Sequence, residues 1–235
     1  MVNVETEKTN QLISKLVPQH ILSAIKNDER QVDELSELTL LYVKILGLNK
    51  TQAGFEREAI TFKQMIVQRL DQVCVENKVY KIHLIGTMYL IMGYNGKLLG
   101  NGSRGRLAAL IEETERVIRT AMQMIEVVNE IKSKVSLLSQ LQNLNLRVGI
   151  HTGPVIAGII GAKMVRYDIF GSGVECTEKI EKEGIPGKVC ISSDTYRILN
   201  QDPEISSHYT FEDHKNVEIQ AQHRFLKSYI IEKKE

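Results

Sequence analysis

Few side chains in this sequence stand where their type and spacing could do chemistry. Gly100, Gly102 and Gly105 spell G-x-G-x-x-G between a strand-like and a helix-like stretch, the pattern in which backbone amides cradle a dinucleotide pyrophosphate. That fingerprint also needs a second strand ending in an acidic residue about 20 residues on, and a helical pattern fills that place here. A flexible glycine-rich turn is the simpler account. His151 lies within the Gly149–Gly153 stretch, with no second ligand at metal spacing. His83 sits in an apolar strand-like run, where a neutral imidazole can donate, accept or simply pack. Asp168 follows Arg166 by two residues and can pair with it or cap a turn. Glu175 and Lys179 are four apart, a spacing at which opposite charges pair on one helix face. Lys44 interrupts the apolar run of residues 38–46, where its ammonium can snorkel to the strand's edge.

These residues must be placed by regular elements, and the periodicity supplies them. Leu146, Val148 and Ile150 alternate with other residues as a half-buried strand does, and Gly153–Pro154 is expected to break it. Residues 155–161 form a short apolar segment with two glycines, and residues 164–170 read as another strand. A helix pattern runs through Val174, Thr177, Ile180 and Glu181 and stops at residues 184–187. Residues 188–191 read as a strand, after which Ser192 or Ser193 caps a short helix with Asp194 in its first turn. Upstream, residues 38–46 form a buried-strand run, residues 53–75 a helix and residues 80–94 two strands around Gly86. Residues 106–141 carry the apolar stripe of one long helix. Residues 209–213 and 225–232 are strand-like and close the sheet. The alternation without strict repeats predicts an α+β or α/β fold with a mixed sheet. Residues 1–30 read as a helical lead-in interrupted at Pro18, and residues 31–235 as one domain.

Composition narrows the function classes. A 235-residue chain that is 43% hydrophobic and 25% charged matches a soluble globular protein with a full core. Thirty basic residues against twenty-nine acidic ones leave a net charge of +1, which gives no electrostatic case for nucleic acid or an anionic membrane. Cys74, Cys176 and Cys190 are scattered and odd in number, which points away from a disulfide framework and toward a reducing, intracellular compartment. The first ten residues are polar rather than signal-like, and no apolar run reaches the roughly 18 residues of a membrane span.

Three ordered motifs carry a resemblance: R-V-G-I-H-T-G-P-V at residues 147–155, R-Y-D-I-F-G at 166–171 and I-P-G-K-V-C-I-S at 185–192. Together they resemble the catalytic domain of the class III adenylyl and guanylyl cyclases, and a weaker likeness extends over nearly the whole chain. Val17-Pro18-Gln19-His20 is similar to the stretch that precedes that domain, or is simply an amphipathic connector. The resemblance implies a ferredoxin-like βαββαβ core within an α/β sandwich, with a mainly antiparallel sheet. It also implies pairing, head to tail, with another cyclase-type domain, identical or different. Its substrate would be ATP or GTP, converted into a 3′,5′-cyclic monophosphate.

Position by position, the resemblance implies a degenerate site. The family holds two divalent ions on two aspartates, because Mg²⁺ and Mn²⁺ select hard oxygen ligands. The first position, in L-L-Y-V-K-I-L-G, is Lys44, and the second, after Ile85-Gly86, is Thr87. An ammonium cannot ligate a metal, so no metal cofactor is expected unless a partner supplies the aspartates. The purine-contact positions fall on Asp168 and His83. The asparagine that orients the ribose falls on Glu175, and the arginine that stabilises phosphate charge on Lys179, which lacks the planar fork. A further family lysine falls near residues 221–223, where none stands. Two readings follow: a pseudoenzyme kept for dimerisation, regulation or scaffolding, or the metal-free complementing half of a heterodimeric cyclase. A small-molecule sensor using a vacated pocket is a third, with no residue that names a ligand.

Overall fold

In the computed structural model, the described residues are 32–48, 56–93, 103–134, 143–161 and 166–234. The expected lead-in, and Gly100 and Gly102 of the glycine motif, lie outside them. In chain order the elements are β1 (Val32–Leu46), α1 (Glu56–Glu76), β2 (Tyr80–Ile85), β3 (Met88–Met92), α2 (Ser103–Lys134) and β4 (Asn145–Ile160). There follow β5 (Arg166–Phe170), α3 (Ser172–Lys182), β6 (Val189–Ser192), α4 (Ser193–Leu199), α5 (Pro203–Ser207), β7 (Tyr209–Ile219) and β8 (Arg224–Lys233).

The first six elements make a βαββαβ unit whose strands lie in the order β2-β3-β1-β4, each neighbour antiparallel. That is the ferredoxin-like arrangement. The sheet continues through β6, β8 and β7, with β6 parallel to β4. β5 folds back on the far half of β4. The result is a mixed, mainly antiparallel α+β fold. No described helix is long and apolar enough to cross a membrane.

Alternation along β1 sorts the core into two faces. Leu41, Val43 and Ile45 pack with Ile66 and Leu70 of α1 and Val117, Ile118 and Ala121 of α2. Leu38 and Leu40 face the other way, with Leu90, Met92, Val155, Tyr167 and Ile169. Because both faces are covered, the run is apolar at almost every position. Tyr42 and Lys44 are half-buried and mark where cover on the second face thins.

Four local expectations are corrected. Gly153–Pro154 does not break the strand; β4 runs through it. The ladder is interrupted on both sides there: β1 carries a register shift between Leu35 and Leu38, β6 pairs only residues 148–150, and β5 only residues 156–160. The proline's missing amide therefore removes no ladder bond. α2 starts at Ser103, so Gly105 is helical rather than part of a turn. β1 already runs at Val32, upstream of the expected residue 38, because it follows β4 through its far half. α5 was not expected; Asp202 caps it through the amides of Glu204 and Ile205, with Pro203 in its first turn. The anticipated cap of α4 is Ser192, whose hydroxyl accepts from the Thr195 amide.

Candidate functional site

Strand register lays out one row of residues across the second face: His83 opposite Leu90, Leu90 opposite Tyr42, and Tyr42 opposite Gly149. The next row holds Ile85, Met88, Lys44 and Arg147. α3 closes over the first row at Gly149, where a Cβ would stand 2.6 Å from the Glu181 Cα. Only glycine admits that approach. It seats Glu181 beside Arg147, Oε1 accepting from Nε at 2.7 Å. Glu181 is fully buried, and among the described residues its Oε2 has no hydrogen-bond partner.

The two purine-position candidates come together. β2 carries a register shift between Lys81 and His83, a bulge of the kind that re-aims a side chain. His83 Nδ1 lies 3.6 Å from Oδ1 of the buried Asp168. Asp168 also pairs with Arg166 at 2.7 Å and accepts from the Ile169 amide at 3.0 Å. Burial pushes the His83 pKa below its ordinary value; the Asp168 carboxylate opposes this and Arg166 adds to it. Tyr42 completes the group. Burial, then the charges of Glu178, Asp168 and Glu181, push its hydroxyl pKa up.

Lys44 and Thr87 are also neighbours, since the Ile45 amide donates to the Thr87 carbonyl at 2.9 Å and Lys44 lies opposite Met88. Their side chains offer an ammonium and a hydroxyl where the resemblance places two metal carboxylates. That donor set does not suit hard divalent cations, because an ammonium has no lone pair to give. Among the described residues no group of three or more His, Cys, Asp and Glu is arranged to hold a metal.

Glu175 and Lys179 lie half-buried on α3, but among the described residues they do not pair; the ion pair at that spacing on α3 is Glu178–Lys182, at 2.6 Å. His151 stands apart from the site. Its Nδ1 meets the Ser192 hydroxyl at 2.8 Å, and burial pushes its pKa down to about 4. The missing lysine's neighbourhood is a short 3₁₀ turn, Gln220–Gln222. Tyr42, Arg147 and Glu181 were not singled out from the sequence as site residues. Arg147 and Gly149 share a face by alternation, but the close approach of α3 that brings in Glu181 is tertiary.

A protein-family model described as the adenylate and guanylate cyclase catalytic domain matches residues 8–233. Guanylate cyclase alpha of Plasmodium falciparum (isolate 3D7) is 27% identical over 214 residues, which are 90% of this chain and 5% of that protein. Guanylate cyclase soluble subunit alpha-1 of Canis lupus familiaris is 29% identical over 201 residues, 85% of this chain and 27% of that protein. The chain thus spans no more than 27% of the length of either relative. Among solved structures, the adenylyl cyclase CyaB from P. aeruginosa superposes with a TM-score of 0.73 at 14% identity, over 87% of this chain and 97% of that one. The guanylate cyclase domain of RhGC from Catenaria anguillulae, in complex with GTP, gives 0.66 at 18% identity, over 86% and 100%. These two share the fold. With nearly the whole length matched and that fold in common, the chain belongs to the adenylate and guanylate cyclase catalytic domain family.

Proposed function

We propose that this chain is a cyclase homology domain that does not cyclise nucleotides by itself and acts by pairing with another cyclase-type domain, in dimerisation, regulation or scaffolding. The observation that carries the reading is Lys44 beside Thr87 on the strand and turn where two carboxylates would hold metal. Unit charges 4 Å apart interact by about 4 kcal/mol at an effective dielectric near 20, so an ammonium there strongly opposes a divalent ion. Glu175 adds an anion where a triphosphate must approach, and Lys179 keeps charge but not a bidentate fork. The three described cysteines, all free and buried, fit an intracellular setting. Incubation with ATP or GTP and Mn²⁺ tests it: cyclic nucleotide should stay at the level of a heat-killed control, and formation well above that control overturns the reading.

The meeting of His83 and Asp168 favours a second reading, in which the chain is the metal-free half of a heterodimeric cyclase. Such a half contributes purine contacts while a head-to-tail partner brings both aspartates and the Mg²⁺ or Mn²⁺. Mixing with candidate partner domains discriminates. No activity with any partner, together with no binding of a fluorescent ATP analogue, counts against this second reading.

A further inference from the structure

We propose that Lys44, with Arg147 and Thr87, forms a site for the phosphate groups of a polyphosphate anion and binds it without a divalent metal. The inference rests on the reading of Lys44 and Thr87 as standing at lost carboxylate positions, and adds what the exchanged charge does.

Lys44 and Arg147 are directly opposite in the register of β1 and β4, and like charges so placed destabilise a sheet. Arg147 is answered by Glu181 at 2.7 Å. Lys44 has no carboxylate at ion-pair distance among the described residues. The other acids that act on the neighbouring Tyr42 are matched: Glu178 by Lys182 and Asp168 by Arg166. Glu175 and Lys179 carry opposite charges on α3 and form no ion pair with each other among the described residues. Among the described residues, Lys44 therefore stands without a matching carboxylate on a half-buried strand face.

The geometry around that charge admits a ligand. Among the described residues the turn beside it is open: Gly86, at φ 61°, has nothing within 4 Å of where a Cβ would stand. Thr87 is half-buried there and contributes one hydroxyl, while the ammonium contributes three donors. Phosphate oxygens suit such a donor set, and their charge answers the Lys44 ammonium as Glu181 answers Arg147. A divalent ion gains nothing at this place. In solution it chelates the same oxygens, so it competes with Lys44 instead of assisting it.

Calorimetric titration of the full chain with inorganic triphosphate, in EDTA and then in Mg²⁺ or Mn²⁺, tests this. Binding is expected in EDTA and is expected to weaken when the divalent ion is added. Lys44→Gln should lose about tenfold in affinity, the scale of a charge-assisted bond, and Lys44→Arg should retain most of it. Thermal unfolding of both variants separates lost affinity from lost folding. ATP or GTP binding more tightly than bare triphosphate assigns the ligand to nucleotides, and equal binding assigns it to polyphosphate alone; both sustain the site. No binding in EDTA, binding that requires the divalent ion, or a folded Lys44→Gln with unchanged affinity overturns it. Cyclic nucleotide formation with Mn²⁺ would instead overturn the non-catalytic reading, so the two failures are distinct.

Discussion

His83 Nδ1 lies 3.6 Å from Asp168 Oδ1 although their strands, β2 and β5, do not pair with each other. The bulge in β2 and the return of β5 on the far half of β4 bring the two side chains together over one sheet face. Asp168 is fixed there by Arg166 and by its own following amide, so it presents a carboxylate of set direction to a half-buried imidazole.

The titration of His83 should report this contact. Its pKa lies below the ordinary histidine value through burial, with Asp168 opposing the shift. Asp168→Asn removes the opposing charge and leaves Arg166, which acts in the same sense as burial. The midpoint of the His83 ring-proton signal in an NMR pH series should therefore fall further in the variant. A midpoint that rises or stays would refute the pairing.

Arg147 and Glu181 form a pair with a fully buried carboxylate. Removing one partner of a buried pair typically costs about 3–5 kcal/mol, because the other charge is left without compensation. Arg147 is partly exposed, so Arg147→Ala should cost about 3 kcal/mol in urea unfolding, at the low end of that range. Glu181→Gln should cost less, since an amide leaves no buried anion. Equal losses would show that the charge is not what matters there.

How much of this was legible in the sequence follows from the range of each cause. The alternation of residues 146–150, the two strands around Gly86 and the Ser192 cap are local signals, and each produced its element. The passage of β4 through Pro154 was not legible, because it depends on gaps in the pairing with β1, β5 and β6. The assignment of Lys44 and Thr87 to the family's metal positions rests on the motif resemblance alone. That Lys44 faces Arg147 required the register of two strands far apart in the chain, and Glu181 reached the site through the missing side chain of Gly149.

Gly149 is accordingly a sensitive position. A Cβ there collides with backbone, not with the end of a flexible side chain, so α3 must shift away from β4. Gly149→Ala should destabilise by about 1–3 kcal/mol, the range of overpacked cores, with a lowered urea midpoint. Since α3 carries Glu181, the substitution should also loosen Arg147. An unchanged midpoint would mean that α3 is not held against β4.

Two buried groups give stability an asymmetric pH dependence. Glu113 of α2 accepts from the Thr39 amide at 2.9 Å, but among the described residues its Oε2 has no partner, and burial pushes its pKa up to about 8. Between 4.5 and about 8 the folded state holds a proton that the unfolded state releases, so stability falls as pH rises through that window. His151 acts in the opposite sense: with its pKa near 4 against 6.5 unfolded, it costs stability as pH falls between those values. The two oppose each other below 6.5, and above it Glu113 acts without that counterweight. The melting temperature should therefore drop by roughly 5 °C from pH 6.5 to 8, at about 1.4 kcal/mol per pH unit and a few degrees per kcal/mol. Glu113→Gln keeps an acceptor for Thr39 and has no proton to lose, so the drop should vanish in that variant. If thermal unfolding shows the same slope in both proteins, Glu113 is ionised in the fold and its burial does not govern the alkaline limb.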